Sequence, residues 1–268
     1  MTSVLIAPTS LLRLANGSHL AGVISFGAFS VIRSLSVILS VGLTVTFGST
    51  TTHAQGLVAD HNGDGAIEII AFGDSLTYGV GDDTPPGEFI QSIGNIGNPR
   101  GWPKRLSATL GVAVLNAGSP GEQVVEDPEL DETGVRRFPD VVIGSNADLV
   151  IIQEGANDAQ REFPTAQLTT SLQKMVNVAR ADNKKVVLST LAPPTVQHAQ
   201  DAPVSIEYSA AIRELAVLNN VPLADIEQGF LLACPDVSVC PYYNLPEGLH
   251  PNTAGYDAIA QMYVDVLK

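Results

Sequence analysis

The chain has 268 residues, with 14 lysines and arginines against 28 aspartates and glutamates and a formal net charge of −14. Charge of this sign repels nucleic acid and anionic membrane, so neither is expected as a partner, and its plainest role is solubility. The length is enough for one domain with a full hydrophobic core.

Residues 1–54 do not read as part of that core. They carry Arg13 and Arg33 and no acid, so the remainder of the chain is more acidic still. Arg33 precedes a mostly apolar run, Ser34 to Phe47, and Thr52-His53-Ala54 resembles a signal-peptidase site. The run is shorter than the ~20 residues that span a bilayer. The expected organisation is a signal or targeting segment over 1–54, cleavage near Ala54 and export, with one folded domain over 55–268. A retained membrane anchor is the alternative, because Ala21 to Val31 is also apolar.

Asp60-His61-Asn62-Gly63-Asp64-Gly65 resembles the first half of a calcium loop, with oxygen ligands at Asp60, Asn62 and Asp64 followed by Gly65. The twelfth position is Ala71, which has no carboxylate to close the shell, so the stretch reads as a turn. Calcium with Glu68 or a remote ligand is the alternative. Ile67 to Phe72 follows as a short apolar run, a buried strand, and ends in the tight turn Gly73-Asp74-Ser75-Leu76-Thr77.

Gly79 to Arg100, rich in Gly and Pro, predicts a long loop whose length suits a functional role, in which Phe89, Ile90, Ile93 and Ile96 either line an apolar pocket or pack the loop itself. Trp102 to Leu110 has helical periodicity, and Val112 to Leu115 is a second strand running into Asn116-Ala117-Gly118-Ser119-Pro120-Gly121. Leu149 to Ile152 is a third strand, ending in Gly155-Ala156-Asn157-Asp158. Thr165 to Ala181 is a helix, Val186 to Leu188 a strand, Ser205 to Leu218 a helix and Pro222 to Ala224 a short strand. Cys234 and Cys240 follow; an even, close pair in an exported protein suggests a disulfide. Glu247-Gly248-Leu249-His250-Pro251-Asn252 then leads into a last helix, Thr253 to Leu267. Strands alternating with helices predict an α/β fold of parallel βαβ units.

Such folds place chemistry outside the carboxyl ends of their strands. Ser75, Gly121 and Asn157 all follow strands, and His250 precedes a helix. A serine attacking a carbonyl needs a base and oxyanion donors. His250 suits the first role. The backbone N–H groups of Ser75 and Gly121 and the side-chain amide of Asn157 suit the second.

Taken together, the four blocks resemble the SGNH hydrolase superfamily, the GDSL-type esterases and lipases, over residues 66–268. Gly73 to Thr77 matches the nucleophile block, Asn116 to Gly121 the block whose last glycine supplies an oxyanion N–H, Gly155 to Asp158 the asparagine block, and His250-Pro251-Asn252 the block of the base. The resemblance implies a flavodoxin-like three-layer αβα sandwich around a parallel sheet of about five strands, with no cofactor and no metal. It also implies an aspartate three residues before the histidine; here that position is Glu247, the candidate third member of the triad.

Ala117-Gly118-Ser119-Pro120-Gly121 resembles a different nucleophile elbow, that of α/β-hydrolases. There the residue after the nucleophile donates its N–H, and Pro120 has none. The expectation is therefore a serine esterase acting through an acyl-enzyme on Ser75, on short-chain acyl esters or lysophospholipid-type lipids. A carbohydrate O-acetylesterase is the alternative within the superfamily. A catalytically silent surface- or carbohydrate-binding module is the alternative outside it, and the joint presence of Ser75, Asn157 and His250 argues against that.

Overall fold

A computed structural model describes residues 56–82 and 100–268. The segment read as a targeting sequence, and Phe89, Ile90, Ile93 and Ile96, lie outside the described residues.

Five parallel strands form one sheet: β1 (Glu68–Gly73), β2 (Ala113–Gly118), β3 (Leu149–Gln153), β4 (Lys185–Ser189) and β5 (Leu223–Ala224). Their order is β2-β1-β3-β4-β5, so the chain leaves β1 to one side, returns, and continues on the other. The switch point between β1 and β3 opens a crevice at the carboxyl ends of the strands. Sequence periodicity explains the layers. Successive side chains of a strand point to opposite faces. Ile70 and Phe72 of β1 and Val150 and Ile152 of β3 enter one core, while Ile69, Ala71, Leu149 and Ile151 enter the other.

Eight α-helices are described: α1 (Ser75–Tyr78), α2 (Gly101–Leu110), α3 (Gly134–Val142), α4 (Ala156–Gln160), α5 (Thr165–Ala181), α6 (Ala202–Asn219), α7 (Ile226–Ala233) and α8 (Thr253–Leu267). Phe138 of α3, Leu168, Leu172 and Met175 of α5 and Tyr208 and Ile212 of α6 cover the first face. Trp102 and Leu106 of α2, Ile226 and Phe230 of α7 and Tyr256, Ile259 and Tyr263 of α8 cover the second. The result is the αβα sandwich expected from the sequence.

Four helices were not read from the sequence: the short α1 and α4, which follow β1 and β3 and read as turns, and the longer α3 and α7. In α3, Pro139 lies inside the helix and breaks its propensity signal. Amphipathic burial of Arg137, Phe138 and Val142 carries it instead. In α7, Asp225 caps the helix by accepting from Gln228 N–H, a start signal masked by the cysteines that follow. Cys234 and Cys240 are joined as a disulfide. In the turn before β1, Asp60 accepts from Gly63 and Gly65 N–H, and Asp64 from Ala66 N–H. These carboxylates are engaged by their own turn, and no metal-holding cluster of His, Cys, Asp or Glu occurs among the described residues. Among the described residues no helix is long and apolar enough to cross a membrane.

Trp102 is the single tryptophan of the chain. It is fully buried, stacks on Tyr263 at 4.1 Å and donates its indole N–H to Gln153 Oε1 at 2.8 Å. Trp102→Ala is expected to destabilise the protein by about 3–5 kcal/mol, read by urea unfolding followed by circular dichroism. A loss below about 1 kcal/mol, the size of an ordinary surface change, would contradict this packing account.

Candidate active site

The ends of β2, β1 and β3 are level: Gly73 pairs with Gly118 on one side and with Gln153 on the other. Ser75, Gly121 and Asn157 follow just beyond these points, so the parallel register alone gathers them at one edge. Asp74 caps α1, accepting from Leu76 N–H at 2.8 Å, and Ser75 begins the helix, 6% exposed.

His250 is brought to Ser75 across 175 residues of sequence by the loop before α8. Asn244 ties that loop down. Its Nδ2 donates to Gly81, His250 and Pro251 carbonyls at 3.2, 3.3 and 3.1 Å. Tyr256 OH donates to Val80 O at 2.8 Å, and Asn252 caps α8 by accepting from Gly255 N–H. His250 Nε2 then lies 2.9 Å from Ser75 Oγ, and its Nδ1 lies 2.7 Å from Glu247 Oε1. The extra methylene of Glu247, relative to the expected aspartate, is held by its other oxygen. Oε2 accepts from Leu249 and His250 N–H at 2.9 and 2.8 Å. Burial would raise the Glu247 pKa, but these bonds and the His250 ring hold it below the usual carboxylate range. The ring of His250 meets Ser75, while Ser119 contributes a backbone bond to Gly73 O.

Gly121 has φ +83°, a conformation that favours glycine, and a Cβ added there would meet nothing within 4 Å. The space in front of its backbone is open. Asn157, in the first turn of α4, donates Nδ2 to Glu122 O at 2.8 Å, with Asp74 Oδ2 at 3.5 Å.

Glu122, Arg137, Glu154 and Asn244 had no signal in the sequence; Glu122 and Arg137 are 15 residues apart, with a loop and a turn of helix between them. Both are buried and paired through two bonds of 2.7 and 2.6 Å, and Arg137 also donates to Ala117 O at 3.0 Å. Its guanidinium stacks over Phe72 at 4.0 Å. The Glu154 carboxyl lies against Glu122. A Cβ on Gly134 would be 3.2 Å from Glu154 Oε1 and 3.3 Å from Glu122 Oε2. Burial first, and then the Glu122 and Asp74 charges, push the Glu154 pKa well up. Asp158 is also raised by burial, although Val124 and Val125 N–H both donate to it at 2.9 Å.

With this geometry in place, comparison with known proteins is informative. The sequence pattern of the GDSL-like lipase/acylhydrolase family matches residues 71–258. The chain belongs to this family of ester hydrolases. It is 24% identical over 173 residues to an arylesterase of Vibrio mimicus, covering 63% of this chain and 78% of that protein. Among solved structures, a lipase/acylhydrolase from Enterococcus faecalis matches with a TM-score of 0.56 and 25% identity, over 74% of this chain and 94% of the other. An aryl esterase of M. smegmatis matches with a TM-score of 0.56 at 21% identity, over 75% and 100% of the two chains. A carbohydrate acetylesterase from Sinorhizobium meliloti matches with a TM-score of 0.59 at 19% identity, over 74% and 97%.

Asp74 gives a test of the polar cluster. Burial first, then the Asp158 and Glu122 charges, raise its pKa from the ordinary 3.8 to about 7, against the opposing bond from Leu76 N–H. A carboxyl raised on folding contributes stability that is complete below its unfolded value and is lost as pH rises through the folded one. Asp74→Asn keeps an acceptor for Leu76 N–H and removes the titration. The variant should therefore gain on the parent by a few kcal/mol as pH rises from about 4 to about 7. Urea midpoints at both ends of that window measure this, and a parent-to-variant difference that is the same at both would contradict it.

Proposed function

We propose that the protein is a serine ester hydrolase with Ser75 as nucleophile, His250 as base and Glu247 as the acid that orients the base. The observation that carries this reading is the continuous relay from Ser75 Oγ to His250 Nε2 at 2.9 Å and from His250 Nδ1 to Glu247 Oε1 at 2.7 Å. Family membership and the arylesterase relative support it.

In this mechanism Ser75 Oγ attacks the ester carbonyl as its proton passes to His250 Nε2, and Glu247 stabilises the imidazolium through Nδ1–H. The oxyanion that forms is held by the backbone N–H groups of Ser75 and Gly121 and by the amide of Asn157. Glu122 O engages one N–H of that amide and fixes the plane in which the other points. Collapse expels the alcohol, which takes the proton from His250. Water, activated by His250, then attacks the acyl-enzyme, and its departure as the free acid restores Ser75. The substrates proposed are small acyl esters, aryl esters among them, in line with the Vibrio mimicus relative.

We infer export as well. The Cys234–Cys240 disulfide fits an oxidising compartment, and the sequence pattern places cleavage after Ala54, leaving 55–268 as the hydrolase domain. N-terminal sequencing of protein from its native host should begin at Gln55; a start within 1–54 would overturn the proposed cleavage.

On an aryl acetate, Ser75→Ala and His250→Ala should reduce turnover almost to the uncatalysed rate. Asn157→Ala should lower kcat by roughly 10²–10³, the usual cost of one oxyanion donor. Glu247→Ala should leave measurable activity, because it orients the base without touching substrate. Steady-state kinetics with circular dichroism as a folding control decide it: full activity in folded Ser75→Ala would remove the proposal, and full activity in Glu247→Ala would remove Glu247 from the triad.

A further inference from the structure

The proposed acid has a second imidazole against it. His198 lies in the 3₁₀ turn Val196–Asp201 that precedes α6. Its Nε2 is 3.5 Å from Glu247 Oε1, the same oxygen that His250 Nδ1 meets at 2.7 Å. Its Nδ1 is 3.1 Å from Asp201 Oδ2. The order of groups is thus Asp201, His198, Glu247, His250, Ser75.

The backbone holds this order in place. Thr195 N–H donates to Gly248 O at 2.8 Å, and Tyr243 OH donates to Pro193 O at 2.5 Å. Gly248 has φ +81°, and a Cβ there would stand 2.3 Å from Thr195 O, so the acid's own turn is pressed onto the segment that leads to His198. Val196 takes φ +50°, a conformation unusual for a β-branched residue, at the point where this segment turns towards Glu247. The contact is therefore formed by two docked segments rather than by one free side chain.

Chemistry then limits what the ring can be. A neutral imidazole has one N–H and one lone pair, so with a carboxylate at each nitrogen one of the two would face a lone pair. Protonation at both nitrogens satisfies both. Among the described residues, the charged or titratable groups facing His198 are Asp201 on its own turn and, from the loop before α8, Glu247 with His250 beyond it.

We propose that His198, backed by Asp201, is a positioning residue for Glu247: it braces the carboxylate beside His250 and shares its negative charge. The proposal rests on the serine-hydrolase reading above. The His198 ring shares the charge of Glu247, so less of that charge acts on the His250 ring. Without His198 the whole charge of Glu247 acts on His250.

The test is the pH profile of kcat/KM on an aryl acetate from about pH 5 to about pH 9, which reports ionisations of the free enzyme. His198→Gln should move the acid limb up by about half a pH unit, the scale of a partly exposed charge pair. The alkaline plateau should stay within about twofold of the parent. Asp201→Asn, which keeps the imidazole and removes its outer carboxylate, should move the limb in the same direction by less, and it carries the test if His198→Gln does not fold. An unmoved limb, or a loss equal at every pH, overturns the proposal. Ser75→Ala measured alongside separates the two readings. Activity in that variant overturns the serine mechanism, whereas an inactive Ser75→Ala with an unmoved limb in His198→Gln overturns only the role given to His198.

Discussion

The polar cluster under Ser75 holds four carboxyl groups, Asp74, Glu122, Glu154 and Asp158, around the Arg137 guanidinium. That imbalance constrains much of what surrounds it. Buried charges need partners. Glu122 has Arg137, Asp158 has two backbone N–H groups, and burial pushes the Glu154 carboxyl towards its neutral form. The same pairing fixes backbone as well as charge. Arg137 reaches the carbonyl at the end of β2, and Glu122 turns its own carbonyl to Asn157. The loop after β2 and the helix after β3 are thus joined by the Asn157 amide on Glu122 O and by the two backbone N–H groups that Val124 and Val125 give to Asp158.

Much of the architecture was legible because burial and periodicity coincide. β1 and β3 are buried on both faces, so they stand out as short apolar runs, and α8 was readable to the residue from Thr253 to Leu267. The candidate site was legible for another reason. Ser75, Gly121, Asn157 and His250 occur in short blocks at the ends of elements, where the local sequence is dictated by turns. The groups that hold those residues are different. Glu122 meets Arg137, and Asn244 meets Gly81, through contacts formed only after the sheet is assembled. Nothing in their spacing marks them.

Glu247 shows how such context alters a local expectation. One methylene longer than the aspartate the family resemblance implies, it was open to the objection of a loose side chain. The turn supplies two backbone N–H groups to its second oxygen, and the first is left for imidazole. The same oxygen that meets the His250 ring also lies 3.5 Å from His198 Nε2, so the residue that departs from the family pattern stands between two imidazoles.

The distance along the chain between Ser75 and His250 has a consequence for biosynthesis. The serine is made early and its partner 175 residues later, next to the helix that closes the second face of the sheet. On the proposed mechanism a nascent chain would therefore carry a serine without its base. Hydrolytic competence would then arise only when α8 docks, and turnover would report that the sandwich is closed. A clip that released the α8 segment would, on the same mechanism, silence the protein while leaving the serine and its strand intact.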